Sequence, residues 1–181
     1  TTMRGRGAQL DGKRIRVSER KELEGTLIGT GFPYRSNTRW LKTYLGMLGS
    51  VMENTAGVRR PGSAALDLCY LAAGRLDGFF EFGLESWDVA AGTLMIQEAG
   101  GVVSNLTGAG SHLDSGNVLA GNPQGGAVFH QADVIDIRHL GTAHALVDPA
   151  HHVAEDALGV VVEFLLLLLW RPAGRGRDGE G

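Results

Sequence analysis

Two carboxylates, Glu81 and Asp88, stand in the run Phe79–Gly101 (FFEFGLESWDVAAGTLMIQEAGG), with Trp87 directly before the second. Asp88 opens a helix-compatible stretch, Val89, Ala90 and Ala91 followed by Leu94, Met95 and Ile96, that stops at Gly100-Gly101. This pattern predicts Asp88 as an N-cap whose carboxylate accepts from a first-turn N–H and whose charge the helix macrodipole favours. The double glycine is the matching C-terminal stop. An Asp held at the end of a rigid helix is a hard oxygen ligand, and Mg²⁺ takes only one or two protein carboxylates, filling its octahedron with water and phosphate oxygens. By residue chemistry alone, plain capping is the stronger reading of Asp88 over the metal role. Glu81, between aromatics, is either solvent-facing by alternation or a functional carboxylate in a pocket.

The elements that must position these groups follow from the pattern. Gly78–Gly83 (GFFEFG) predicts a glycine-bounded strand carrying Glu81. Before it, Pro61 restricts Arg60 to extended backbone, so a short strand ends there and a helix, Ala64–Ala73, begins just after. That helix is apolar nearly all round, which predicts burial. The small residues Gly62-Ser63-Ala64 at its start allow a ligand close to the backbone, and its first-turn N–H groups point outward there. Without further information the same residues read equally as a tight strand-to-helix junction.

Upstream, Thr26–Gly31 predicts a buried strand. Thr38–Ala56 predicts an amphipathic helix with a stripe of Leu41, Tyr44, Leu45, Leu48, Val51 and Met52 and a stop at Gly57. In residues 1–20, Asp11-Gly12 is a hairpin signal, and Ile15 and Val17 alternate with polar residues. Downstream, Val102–Leu106 and Val118–Ala120 predict strands, with a turn at Thr107-Gly108. Glu85 reads as a solvated surface charge.

Composition bounds the function. The chain has 181 residues, 20% of them charged, and a formal net charge of −3, which offers no electrostatic footprint for nucleic acid. The single cysteine, Cys69, excludes an internal disulfide and reads as a small core residue. No apolar signal segment is visible, and Gly159–Trp170, with its Leu165–Leu169 run, is too short to span a bilayer and contains Glu163. The expectation is a soluble, cytoplasmic protein.

From Gly62 to Gly101 the chain resembles the C-terminal signature of the inositol monophosphatase family, in which a Trp-Asp pair is followed by small or apolar residues and then E-A-G-G. Here these are Trp87-Asp88 and Glu98-Ala99-Gly100-Gly101. The resemblance extends over roughly residues 1–123, the C-terminal half of a bacterial-type inositol-1-monophosphatase. It implies an α/β fold: the C-terminal part of a layered sandwich, a mixed sheet flanked by helices, with an N-terminal β-hairpin left over from the family's first sheet. It also implies Mg²⁺ as cofactor with Asp88 as a ligand, a phosphate monoester substrate contacted by Gly62, Ser63, Ala64 and Glu81, and a homodimer.

The family's other motif, D-P-x-D-G-T/S preceded by a lone Glu, supplies most of its Mg²⁺ ligands and is not found in this sequence. The expectation is therefore an inositol-phosphate phosphatase by descent that is inactive as this chain alone. Alternatives are a non-catalytic interaction module, or a sister phosphatase acting on sugar or nucleotide phosphates. The chain divides into a hairpin (1–23), the α/β region (24–123) and a divergent tail (124–181). The tail carries most of the histidines, including His144, His151 and His152, which read as scattered surface residues and not a zinc site. It is expected to be poorly ordered, and a frameshifted or read-through origin would account for its composition.

Overall fold

The computed structural model describes residues 1–33, 35–106 and 111–123, with the backbone alone for residues 35–37. The turn expected at Thr107-Gly108 and the whole tail from residue 124 lie outside the described residues.

Five strands form a mixed sheet. They are β4 (Leu27–Thr30), β5 (Gly57–Arg59), β6 (Gly78–Glu81), β7 (Val102–Ser104) and β8 (Val118–Gly121), in the order β5-β4-β6-β8-β7. The first three run parallel, and β8 is antiparallel to both β6 and β7. Helix α1 (Leu41–Asn54), led in by a 3₁₀ segment over Arg35–Trp40, covers one face; α2 (Ala64–Ala72) and α3 (Ser86–Glu98) cover the other. A short α4 (His112–Ser115) precedes β8. This is the mixed, helix-flanked α/β sheet that the family resemblance implies.

Period-two alternation sorts the side chains between the faces. Phe80 and Phe82 point toward α1, where Tyr44 lies 5.7 Å from the Phe80 ring and Trp40 stacks on Phe82 at 5.4 Å. Phe79 points the other way, into the cluster with Leu68, Leu71, Val89, Ile96 and Val118. Glu81, two residues after Phe79, therefore projects on the α2/α3 face.

The helix stripe on α1 needs correction. Tyr44, Met47 and Val51 are its buried residues, whereas Leu41, Leu45 and Met52 are exposed. Trp40, at the end of the 3₁₀ lead-in, and Met47 join Tyr44 and Val51 in the core. The helix also stops earlier than expected, at an extended Thr55, which leaves Gly57 to begin β5. In α2, Leu66 is exposed and Asp67 is buried, so the helix is one-sided and not buried all round.

The N-terminal segment is a three-stranded antiparallel sheet: β1 (Thr2–Met3), β2 (Gly7–Leu10) and β3 (Lys13–Arg14). Asp11 and Gly12 both take positive φ, 51° and 74°, and close the two-residue turn between β2 and β3 that the sequence predicts. The hairpin is not left without support. The Glu98 carboxylate at the end of α3 accepts from the Gly5 N–H at 2.6 Å and the Gly7 N–H at 2.7 Å, and Val17 N donates to Ala99 O at 3.2 Å. Ala8 and Val17 are buried in the same cluster as α3.

Candidate functional site

The predicted site residues occupy three neighbouring stations. Gly62, at φ +99°, turns the chain out of the extended stretch, Ser63 is the extended N-cap residue of α2, and Ala64 is its first helical residue. Glu81 ends β6. Asp88 lies in the first turn of α3. Helix α2 packs against both β6 and α3, and Asp67 of α2 and Asp88 of α3 both act electrostatically on Glu81 at the end of β6. Gly92 makes the α2–α3 approach possible, since a Cβ there would overlap the Leu68 side chain.

Asp88 is not the N-cap. That position belongs to Glu85, whose backbone is extended (φ −86°, ψ 153°), and Asp88 is the third helical residue. The two form a capping box in which the Glu85 N–H donates to Asp88 Oδ2 at 3.3 Å and the Glu85 side chain faces the Asp88 N–H, which also donates to the Glu85 main-chain carbonyl at 2.9 Å. The helix starts two residues before Asp88 because Ser86 and Trp87 are compatible with the first turn and Glu85 can close the box. Glu85 is exposed, as its reading as a surface charge has it, and it also caps α3. Trp87 is 75% exposed beside Asp88.

Electrostatics bind the stations together. Burial pushes the Glu81 carboxyl up from 4.5 to about 7; the negative charges of Asp67 and Asp88 raise it further, and the Arg60 guanidinium opposes them. Asp67, one turn into α2, is pushed from 3.8 to about 6, again mainly by burial and against Arg60. Asp67 is 1% exposed, and its Oδ1 has no hydrogen-bond partner. Arg60 reaches back over the Phe32 ring, 5.0 Å from its centroid. Gly31, just past β4, lies under the Glu81 carboxyl, where a Cβ would overlap it. Three groups of this neighbourhood, Asp67, Arg60 and Gly31, carry no role in the sequence reading. Asp67 had a visible signal, as the lone charge in an otherwise apolar helix four residues after Ser63. Gly31 had none, because its necessity arises from strand pairing.

Among the described residues no group of three or more His, Cys, Asp or Glu side chains is arranged to hold a metal ion. The donor set nonetheless fits a partial Mg²⁺ site, since a single first-turn carboxylate is a normal protein contribution to a largely hydrated ion. No helix among the described residues is long and apolar enough to cross a membrane.

A mixed five-stranded sheet flanked by helices, beside a separate antiparallel three-stranded sheet, is the α/β fold of inositol monophosphatase-like structures. The inositol monophosphatase family matches residues 1–138, and the chain belongs to that family. It is 58% identical over 123 residues to the Nus factor SuhB of Pseudomonas aeruginosa, covering 67% of this chain and 45% of that protein. With the Nus factor SuhB of Escherichia coli (strain K12) it shares 51% identity over 124 residues, 68% of this chain and 46% of the relative. Among solved structures, the extragenic suppressor protein suhB from Bartonella henselae superimposes with a TM-score of 0.68 at 42% identity, covering 75% of this chain and 50% of that one. The inositol monophosphatase from Anabaena (Nostoc) gives 0.62 at 35% identity, covering 81% and 55%. The chain therefore spans about half the length of the curated relatives it matches.

Proposed function

We propose that this chain supplies the substrate-hydroxyl side, and one metal ligand, of a Mg²⁺-dependent phosphatase that converts inositol monophosphate to inositol and phosphate. The observation that supports the reading is the half-buried Glu81 at the end of β6, on the strand face that Phe79 turns to α2 and α3, with its carboxyl subject to the charges of Arg60 just before α2, Asp67 in α2 and Asp88 in the first turn of α3. In this reading the ionised Glu81 carboxylate accepts a hydrogen bond from a ring hydroxyl. The turn at Gly62 and the first-turn N–H groups of α2 present backbone donors to the same ring. Asp88 holds one position of the ion, with its Oδ2 braced by the Glu85 N–H. Bound Mg²⁺ supplies charge neutralisation on the phosphate and an activated water. The remaining ligands come from the family's D-P-x-D-G-T/S motif, contributed by a first half that this sequence does not contain. We place the protein in the cytoplasm as a homodimer, divided into a hairpin (1–23), a site-bearing α/β region (24–123) and a tail.

The test is complementation. The 181-residue chain alone should hydrolyse inositol 1-phosphate with Mg²⁺ no faster than its Asp88→Asn variant. Supplied with the first half of the Pseudomonas relative, joined or in trans, it should gain turnover that Asp88→Asn abolishes. Turnover by the isolated chain, orders of magnitude above the variant, would overturn the division of ligands.

A second reading draws on the name Nus factor borne by the relatives: the chain serves as a non-catalytic interaction module in the same capacity. The exposed Trp87 (75%) and Leu66 (56%) give it apolar contact area next to the site. Retention of that capacity by a complemented Asp88→Asn variant that hydrolyses nothing would favour this second reading.

A further inference from the structure

Between the end of β6 and the start of α3, consecutive N–H groups each have an acceptor. The Gly83 N–H donates to the Asn117 side-chain oxygen at 3.2 Å, and the Leu84 N–H donates to the Gly116 carbonyl at 2.8 Å. The Glu85 N–H, next in line, donates to Asp88 Oδ2 at 3.3 Å. Gly116 and Asn117 belong to the short stretch that joins α4 to β8, and the proposed function gives that stretch no task. Its fit to the loop is close. Gly116 is buried at φ +68°, and a Cβ there would overlap the Leu84 carbonyl, so the two backbones meet where no side chain can stand. Asn117 is held in turn by Ser115, whose hydroxyl accepts from the Asn117 N–H at 3.3 Å. At its other end α4 is tied to the helix that carries Asp88, with His112 Nε2 and Thr93 Oγ1 3.0 Å apart. The loop itself contains Gly83, at φ +69°, whose backbone freedom leaves the following peptides to be fixed from outside.

We propose that Asn117 is a positioning residue for Asp88: with the Gly116 carbonyl, its side-chain oxygen fixes the Gly83 and Leu84 peptides, and so the direction in which the Glu85 N–H meets the Asp88 carboxylate. The inference rests on the assignment of Asp88 to the ion in the proposed function. A carboxylate serves as a ligand only while its oxygens keep one orientation, and the groups that hydrogen-bond a ligand set its affinity nearly as much as the ligand does. Each peptide is a rigid plane, so a plane freed at Gly83 passes its freedom to Leu84 and then to the Glu85 N–H. In this role Asn117 touches neither ion nor substrate. It acts through the loop, while His112 and Thr93 keep the bracing segment aligned with α3.

The experiment compares variants that lose the acceptor with one that keeps it. Asn117→Ala and Asn117→Leu both remove it, the second at nearly constant volume, and Asn117→Asp retains it; either acceptor-free variant with the parental far-UV spectrum carries the test. In the 181-residue chain, amide hydrogen exchange at Gly83, Leu84 and Glu85 should quicken about fivefold without the acceptor, with the later turns of α3 unmoved, and return to the parental rate in Asn117→Asp. In the chain complemented with the first half of the Pseudomonas relative, the acceptor-free variant should bind Mg²⁺ about fivefold more weakly by calorimetry. Its KM for inositol 1-phosphate at saturating Mg²⁺ should stay within about twofold, a split that a general loosening of the fold would not give. Asn117→Asp should recover the parental Mg²⁺ affinity. Unmoved exchange at Glu85 overturns the proposal, and that measurement needs no turnover. Faster exchange with unchanged Mg²⁺ affinity also overturns it, and if Asp88→Asn weakens Mg²⁺ binding in the same assay the role of Asp88 stands. Mg²⁺ binding untouched by Asp88→Asn, or a complemented chain that binds none, removes the assignment of Asp88 and the proposal with it.

Discussion

Replacing Glu81 by Gln should make the chain more stable at alkaline pH and leave it unchanged in acid. The native carboxyl titrates near 7 where the unfolded one titrates near 4.5, chiefly because it is buried and faces Asp67. Below about pH 4.5 the group is neutral in both states and contributes no difference. As pH rises toward 7, the unfolded chain releases a proton that the native chain retains, so native stability falls across that window and levels off above it. Each pH unit between the two values corresponds to about 1.4 kcal/mol, which puts the full effect at about 3 kcal/mol. Gln is neutral throughout and does not incur it. Urea denaturation of parent and Glu81→Gln at pH 4, 6 and 8, with EDTA present, should give coincident midpoints at pH 4 and a gap that widens to about 3 kcal/mol by pH 8. A gap independent of pH, or one that opens toward acid, would refute the claim that Glu81 is held in a desolvated, negatively charged neighbourhood.

Gly31→Ala should shift the Glu81 carboxyl, so the complemented enzyme should lose affinity for inositol 1-phosphate while the far-UV spectrum is retained; an unchanged KM would count against the contact. Glu98→Gln should loosen the N-terminal sheet without disturbing the large one, visible as faster hydrogen exchange at Gly5 and Gly7 with β4–β8 unaffected. The two backbone bonds hold the Glu98 carboxyl below its usual range, so its stabilisation is present above about pH 4.5 and is lost as pH falls through the lowered value, a loss that acid titration of the same exchange rates should follow. Asp88→Asn should leave the melting temperature within a few degrees, because an amide oxygen can still accept from Glu85 N–H, while Mg²⁺ binding by the complemented chain measured calorimetrically should fall sharply. Gly92→Ala should cost about 1–3 kcal/mol in urea, since its methyl has to displace Leu68 from the α2–α3 contact.

Much of this architecture was legible in the residues. Asp11-Gly12, Gly78–Gly83 and Gly100-Gly101 announce their turn, strand and stop because glycine and Asp-Gly chemistry act locally. The E-A-G-G and Trp-Asp motifs identify the family by the same local means. What could not be read depends on partners distant in sequence. Met47 lies in the core and Leu45 outside it because the sheet face with Phe80 and Phe82 selects which side of α1 is buried, and periodicity alone leaves that choice open. The cap falls on Glu85 because a Glu three residues ahead of an Asp can form the reciprocal box, which a search for Asp, Asn, Ser or Thr caps passes over. Asp67 and Gly31 matter only after β4, β6 and α2 have come together around one carboxyl.

Helix α3 carries Asp88 in its first turn and Glu98 in its last, and so acts as a spacer of fixed length and phase. Ten residues at 1.5 Å each set the two carboxylates about 15 Å apart along the axis. One residue inserted or deleted between them would rotate one end against the other by about 100°. Either the clamp on Gly5 and Gly7 would swing away from the N-terminal sheet, or Asp88 would turn out of the site. Substitutions on the outer surface of α3 are therefore open to sequence drift, whereas its length is not, and designed chimeras between members of the family should place their junctions outside residues 88–98.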